Sequence, residues 1–159
     1  LNILPKNFKL LLAGPLKDEG AEYFKKVQEK IDNLKLHDRV DLQTGFVHNF
    51  DEYLKCSDVF LFPSLAEGLG TPVLESQLCG VPVISNNLKD ITDVIIKNGV
   101  GGYFLEMNAI EWAKAIQKAI KIPKEILIEN SKYVGNTSAA KIIDDEYNKK
   151  INKLIFSES

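Results

Sequence analysis

The chain has 159 residues, 45% of them hydrophobic and 26% charged, a composition that suits one ordinary globular domain and argues against disorder or a fibrous array. Twenty Lys+Arg against 22 Asp+Glu give a net charge of −2, with no general attraction to nucleic acid or anionic lipid. Two histidines and two widely spaced cysteines leave no zinc ligand set, and no run approaches the ~18 apolar residues of a membrane span.

In chain order, short apolar runs alternate with amphipathic segments, as expected of parallel strands linked by crossover helices. Lys9 to Ala13 (KLLLA) reads as a strand closed by Gly14-Pro15. Glu19 to Leu36 reads as a helix, with Ala21, Phe24, Val27, Ile31 and Leu34 at helical spacing. Val40 to Thr44 is the second strand, closed by Gly45, and a short helix over Asp51 to Ser57 leads to the third strand, Val59 to Phe62. A helix starts near Thr71-Pro72, with Thr71 as N-cap and Pro72 in the first turn, and Gly80 ends it. Val81 to Ser85 is the fourth strand, Ile91 to Lys97 a small helix, and Gly101 to Leu105 the fifth strand. Asn108 caps a helix over Ile110 to Ile120, and Pro123 precedes two last helical segments. The final one, Ala139 to Phe156, carries Ile142, Ile143, Tyr147, Ile151, Leu154 and Ile155 on one stripe.

Five such strands predict an α/β fold: a doubly wound, mostly parallel open sheet with carboxy-terminal helices. Residues 1–136 form the sheet domain in this reading, and 137–159 a terminal crossover helix. Ligands of such sheets bind at the carboxyl ends of the strands, which selects the loops Gly14 to Gly20, Gly45 to Asn49, Ser64 to Thr71 and Asn86 to Asp90.

The most informative of these lies in Pro63 to Pro82, PSLAEGLGTPVLESQLCGVP. Glycines at a helix start allow close backbone approach, and the free amides of Leu69, Gly70 and Thr71 can point at an anion, an interaction contributing about 0.3–2 kcal/mol. Glu75 taken alone suits the helix macrodipole, and Glu67 taken alone is an ordinary loop glutamate. Together they place two carboxylates beside a phosphate-sized hole, which matches a ligand carrying both hydroxyls and a diphosphate.

This stretch resembles the retaining GT-B glycosyltransferases of group 1, whose mark is two glutamates separated by seven residues. Here that mark reads EGLGTPVLE from Glu67 to Glu75, followed by CGVPVIS. The resemblance extends upstream through VDLQTGFVHNFDEYLKCSDVFLFPS and downstream through NGVGGYFLEMNAIEWAKAI. It implies the Rossmann-like, donor-binding carboxy-terminal half of a GT-B enzyme that moves a hexose from a nucleoside-diphosphate sugar to an acceptor with retention. By resemblance Glu75 accepts from the ribose hydroxyls, and Glu67, the catalytic-site glutamate, meets hydroxyls of the transferred sugar. Gly68, Leu69, Gly70 and Thr71 face the sugar or diphosphate through their backbones, and the loop Val47-His48-Asn49 holds the base-binding position.

Relatives place an additional first strand and a Gly-Arg-x-x-x-x-Lys-Gly-like segment before the strand at Lys9, and its Arg and Lys clamp the diphosphate. That segment and the amino-terminal acceptor domain have no counterpart in these residues, so the resemblance implies that the isolated chain is inactive. Arg39 is expected at the end of the sheet away from the ligand loops, and Leu88-Lys89-Asp90 stands where relatives often have a glycine-rich turn. The resemblance implies no metal or cofactor, and the absence of any Asp-x-Asp pair agrees with it. The expected partners are a nucleotide-sugar donor, the acceptor domain and, through the terminal helix, a second copy. The expected setting is the cytoplasm, with peripheral membrane association through the acceptor domain. The other readings are a non-catalytic nucleotide-sugar-binding or regulatory module, and another doubly wound domain. The latter lacks support, since no Gly-x-Gly-x-x-Gly follows the first strand.

Overall fold

A computed structural model describes residues 1–16 and 20–137; the terminal stripe from Ile142 to Ile155 lies outside the described residues. The chain divides into two compact units, Leu1–Phe50 and Asp51–Ser159.

In the first unit, β1 (Leu10–Ala13) pairs in parallel with β2 (Val40–Gln43), Leu10 opposite Val40 and Ala13 opposite Gln43. Both strands alternate half-buried and exposed residues, so each presents one face to the interior. Between them α1 (Ala21–Asn33) lays down Phe24, Val27 and Ile31 as its half-buried stripe. Its end is a Schellman-type turn: Leu36 N–H reaches the Ile31 carbonyl at 3.0 Å, Lys35 stands in the left-handed region at φ 52°, and Leu36 is buried.

Arg39 closes the short 3-10 turn His37–Arg39 ahead of β2. Its guanidinium donates to the carbonyls of Phe8 (3.0 Å), Leu4 (3.3 Å) and Pro5 (2.7 Å), the segment that enters β1. The chain's arginine therefore fastens the beginning of the strands, as its place in the sequence implies.

The helix α2 (Phe50–Lys55), with Leu54 buried, leads into the second unit. There β3 (Phe60–Phe62), β4 (Val83–Asn86) and β5 (Gly102–Leu105) form a parallel sheet in the order β3-β4-β5. Phe60 stands opposite Val83 and Ser85 opposite Phe104. Every residue of β4 is buried, which explains why VPVIS reads as a continuous apolar run rather than an alternating one. The sequence predicts one open sheet of five strands. Among the described residues the ladders form two parallel sheets, β1-β2 in the first unit and β3-β4-β5 in the second.

Phe62, Val73, Val83 and Ile96 form the core of this unit, with Phe60, Leu88, Ile95 and Phe104 packed against it. α3 (Thr71–Leu78) contributes Val73, Leu74, Ser76 and Gln77 as its buried face, and it ends where Gly80 turns left-handed at φ 72°. α4 (Thr92–Ile95) is a single turn that packs on α3. α5 (Ala109–Ala119) packs on β4 and β5 and buries Ala113, Ala115, Ile116 and Ala119. Asn108 caps it as expected, its side chain accepting from the amides of Ile110 and Glu111. α6 (Lys124–Asn136) starts directly after Pro123 and packs on α3. Buried Gln77 donates to the carbonyls of Val73 and Ile95 and accepts from Asn130, so one side chain joins three helices.

Candidate functional site

The loop from Pro63 to Gly70 leaves the carboxyl end of β3 and feeds the first turn of α3. Its geometry is set by the residue before the helix. Gly70 occupies the N-cap at φ 68°, ψ 34°, and its carbonyl accepts from Val73 at 2.9 Å. Thr71, expected as the cap, is instead the first helical residue and makes no capping bond. The left-handed entrance explains the shift by one. A β-branched residue pays heavily for positive φ, so the turn falls on the glycine.

A Cβ on Gly70 would also lie 3.3 Å from Ile91 Cγ2 and 3.6 Å from Ile95 Cδ1, so α4 closes directly over this glycine. Gly68 is different. Its φ is not positive, and a Cβ built on it meets nothing within 4 Å. Nothing in the chain's own packing requires glycine at 68, and its backbone faces open space.

The amides of Leu69, Gly70 and Thr71 have no hydrogen-bond acceptor among the described residues. Pro72 adds no donor, so these N–H groups are the free ones at this helix start. They lie at the positive end of the α3 dipole, which favours an anion.

Glu75 is exposed on α3, and with Thr71 and Leu78 it makes the solvent-facing stripe of a helix whose Val73, Leu74, Ser76 and Gln77 are buried. Glu67 is exposed on the loop and accepts from Ser64 Oγ at 3.0 Å. Glu67, Gly68, Leu69, Gly70, Thr71 and Glu75 thus share one loop-helix element, with the two carboxylates exposed and Gly70 buried. Among the described residues no three His, Cys, Asp or Glu side chains group as a metal site, and no helix is long and apolar enough to cross a membrane.

Val47 and Asn49 belong to the other unit, in the loop after β2; Val47 is half-buried and Asn49 exposed. Between them His48 stacks on Phe46, ring centroids 4.9 Å apart at 60°. Phe46 is 70% exposed, an open aromatic surface in the loop that the resemblance assigns to the base. The sequence reading named His48 and passed over Phe46, although a large aromatic directly after Gly45 at a strand end is a signal in itself.

Two further residues carry no individual role in the sequence reading, although Asn86 opens one of the selected loops. Asn86 Nδ2 donates to the Ser64 carbonyl at 3.1 Å, and the buried Thr92 hydroxyl donates to the Asn86 carbonyl at 2.9 Å while accepting from Leu88 N–H at 2.8 Å. Thr92 therefore builds the Leu88-Lys89-Asp90 turn, with Asp90 at φ 64° in place of the glycine expected from relatives.

The family described as Glycosyl transferases group 1 matches residues 2–140. The UDP-Gal:alpha-D-GlcNAc-diphosphoundecaprenol alpha-1,3-galactosyltransferase of Escherichia coli is 37% identical over 70 residues, 44% of this chain and 18% of that protein. The capsular polysaccharide biosynthesis glycosyltransferase CapM of Staphylococcus aureus is 29% identical over 157 residues, 94% of this chain and 39% of that protein. Among solved structures, Anabaena Alr3699/HepE in complex with UDP superposes with a TM-score of 0.78 at 21% identity, over 93% of this chain and 42% of that one. Sucrose-phosphate synthase from Thermosynechococcus elongatus gives 0.66 at 23%, over 95% and 39%. These likenesses show the fold, a Rossmann-like α/β arrangement of the GT-B glycosyltransferases, and the chain spans less than half the length of each of these proteins. The match over residues 2–140 places this chain in the group 1 glycosyl transferases.

Proposed function

We propose that this chain is the donor-binding part of a retaining glycosyltransferase that transfers a hexose from a nucleoside-diphosphate sugar. The observation that carries the reading is the element from Glu67 to Glu75: free amides at a helix start, flanked in sequence by two exposed carboxylates. The amides of Leu69, Gly70 and Thr71 hold the diphosphate, Glu75 accepts from the ribose hydroxyls, and Glu67 meets hydroxyls of the sugar. Val47 and Asn49, with Phe46 beside them in the same loop, serve the base. That relatives of this fold were crystallised with UDP and UDP-glucose supports a nucleotide-sugar ligand.

Transfer breaks the bond between the anomeric carbon and the diphosphate oxygen and forms one to the acceptor oxygen, whose proton passes to the departing diphosphate. The helix-start amides stabilise the charge that develops on the departing diphosphate. No metal is needed for that role. With the Arg/Lys clamp and the acceptor domain absent from these residues, the isolated chain binds donor weakly and does not turn over. In a longer protein, the acceptor domain supplies the second wall of the site and any membrane association, and the apolar sequence stripe from Ile142 to Ile155 serves self-association.

Calorimetry with a nucleoside diphosphate and its sugar conjugate tests the assignment. Glu75→Gln should weaken both ligands, by about 1.5–3 kcal/mol if its hydrogen bonds to ribose are charge-assisted. Glu67→Gln should weaken the sugar conjugate alone. Equal losses for both variants with both ligands would contradict the roles, and robust transfer by the purified chain would overturn its inactivity.

A further inference from the structure

We propose that Ser64 is a positioning residue for Glu67, and that the end of β4 anchors it; this inference rests on the donor-binding reading above. Glu67 sits on an exposed loop, where a glutamate side chain ordinarily samples many rotamers and loses that freedom when a ligand engages it. Here one of its carboxylate oxygens already accepts from Ser64 Oγ at 3.0 Å. The same hydroxyl lies 2.9 Å from the Ala66 carbonyl, so one proton faces two acceptors, both of them on the short chain segment that carries Glu67. The second carboxylate oxygen remains for sugar hydroxyls.

Ser64 is itself held from beneath. Its carbonyl accepts from Asn86 Nδ2 at 3.1 Å, and Asn86 is the last residue of β4, with only 8% of its surface exposed. The Asn86 carbonyl in turn accepts from Thr92 Oγ1 at 2.9 Å, and Thr92 is fully buried. A continuous relay, Thr92 to Asn86 to Ser64 to Glu67, thus runs from the interior of the second unit to the carboxylate at the surface. It leaves the amides of Leu69, Gly70 and Thr71 untouched, so its effect falls on the sugar and not on the diphosphate.

The test titrates wild type, Ser64→Ala and Ser64→Thr calorimetrically. The ligands are the uridine or guanosine diphosphate hexose that wild type binds tightest and the matching nucleoside diphosphate. Ser64→Ala should lose about 3- to 10-fold in affinity for the sugar conjugate, the worth of one net hydrogen bond, and stay within about twofold for the diphosphate. Ser64→Thr, which keeps the hydroxyl, should restore the affinity, and thermal unfolding should show both variants folded. Equal losses for both ligands, no loss for either, or no rescue by threonine would each overturn the positioning role while leaving the donor-binding reading standing. Wild type that binds neither ligand would overturn that reading and this inference with it.

Discussion

A side chain on Gly70 would press into Ile91, 3.3 Å from its Cγ2, whereas a side chain on Gly68 would meet nothing within 4 Å. The fold therefore constrains Gly70 and leaves position 68 open. Gly70→Ala should destabilise the second unit by about 1–2 kcal/mol, the cost of the left-handed conformation, with the contact to α4 adding to it. Gly68→Ala should leave the urea midpoint unchanged and weaken nucleoside-diphosphate binding by obstructing close approach of the ligand. If Gly68→Ala is as destabilising as Gly70→Ala, position 68 serves the fold and the open space over it has no role.

The Gln77–Asn130 pair predicts a coupling that a double-mutant cycle can measure. Asn130→Leu leaves the buried Gln77 Oε1 without its donor at 3.1 Å, and should cost about 1–3 kcal/mol. Gln77→Leu should cost a similar amount, since the carbonyls of Val73 and Ile95 lose their donor. The double variant should be less destabilised than the sum of the two. Strict additivity in denaturant titrations would mean that the pair contributes nothing as a pair.

In the first unit, Lys35 adopts φ 52° with an exposed side chain, and its neighbour Leu36 supplies the buried contact that ends α1. Lys35→Gly should raise stability by up to about 1 kcal/mol, because relief at the left-handed position outweighs the added freedom of the unfolded chain. A lower urea midpoint for this variant would show that the lysine stem contributes packing that the backbone geometry does not reveal.

Thr92→Val tests the turn that replaces a glycine-rich one. Valine has nearly the shape of threonine but cannot donate to Asn86 or accept from Leu88, and both groups are left without that partner. A loss of about 1–3 kcal/mol is expected, with Asp90→Gly nearly neutral beside it. If Thr92→Val unfolds at the wild-type midpoint, the buried hydroxyl does not hold the turn.

What the sequence makes legible here is whatever depends on near neighbours. The first three strands are short apolar runs closed by glycine or proline, the stripe of Phe24, Val27 and Ile31 has helical spacing, and Asn108 stands directly before a periodic segment. The exchange of roles between Gly70 and Thr71 is a matter of one residue, and it turns on a φ value that composition does not fix. The relay through Asn86 joins residues 22 apart and the Gln77–Asn130 bond residues 53 apart. Both follow from which elements become neighbours in the fold, and that cannot be read from local patterning. A glutamine inside a helix looks like any good helix former until the position proves to be buried. The family mark from Glu67 to Glu75 was legible because it lies within a single loop-helix element, where residue order and spatial order nearly coincide.

The hold of Arg39 on Leu4, Pro5 and Phe8 also determines what an arginine-selective dicarbonyl reagent would report on this protein. The sequence offers that reagent one target, whose guanidinium is already committed to three carbonyl groups. Labelling should therefore be slow in the native state and should accelerate when the segment before β1 peels away. Its rate would measure local opening of the first unit, so the familiar inference from ligand protection of an arginine to phosphate contact would mislead here.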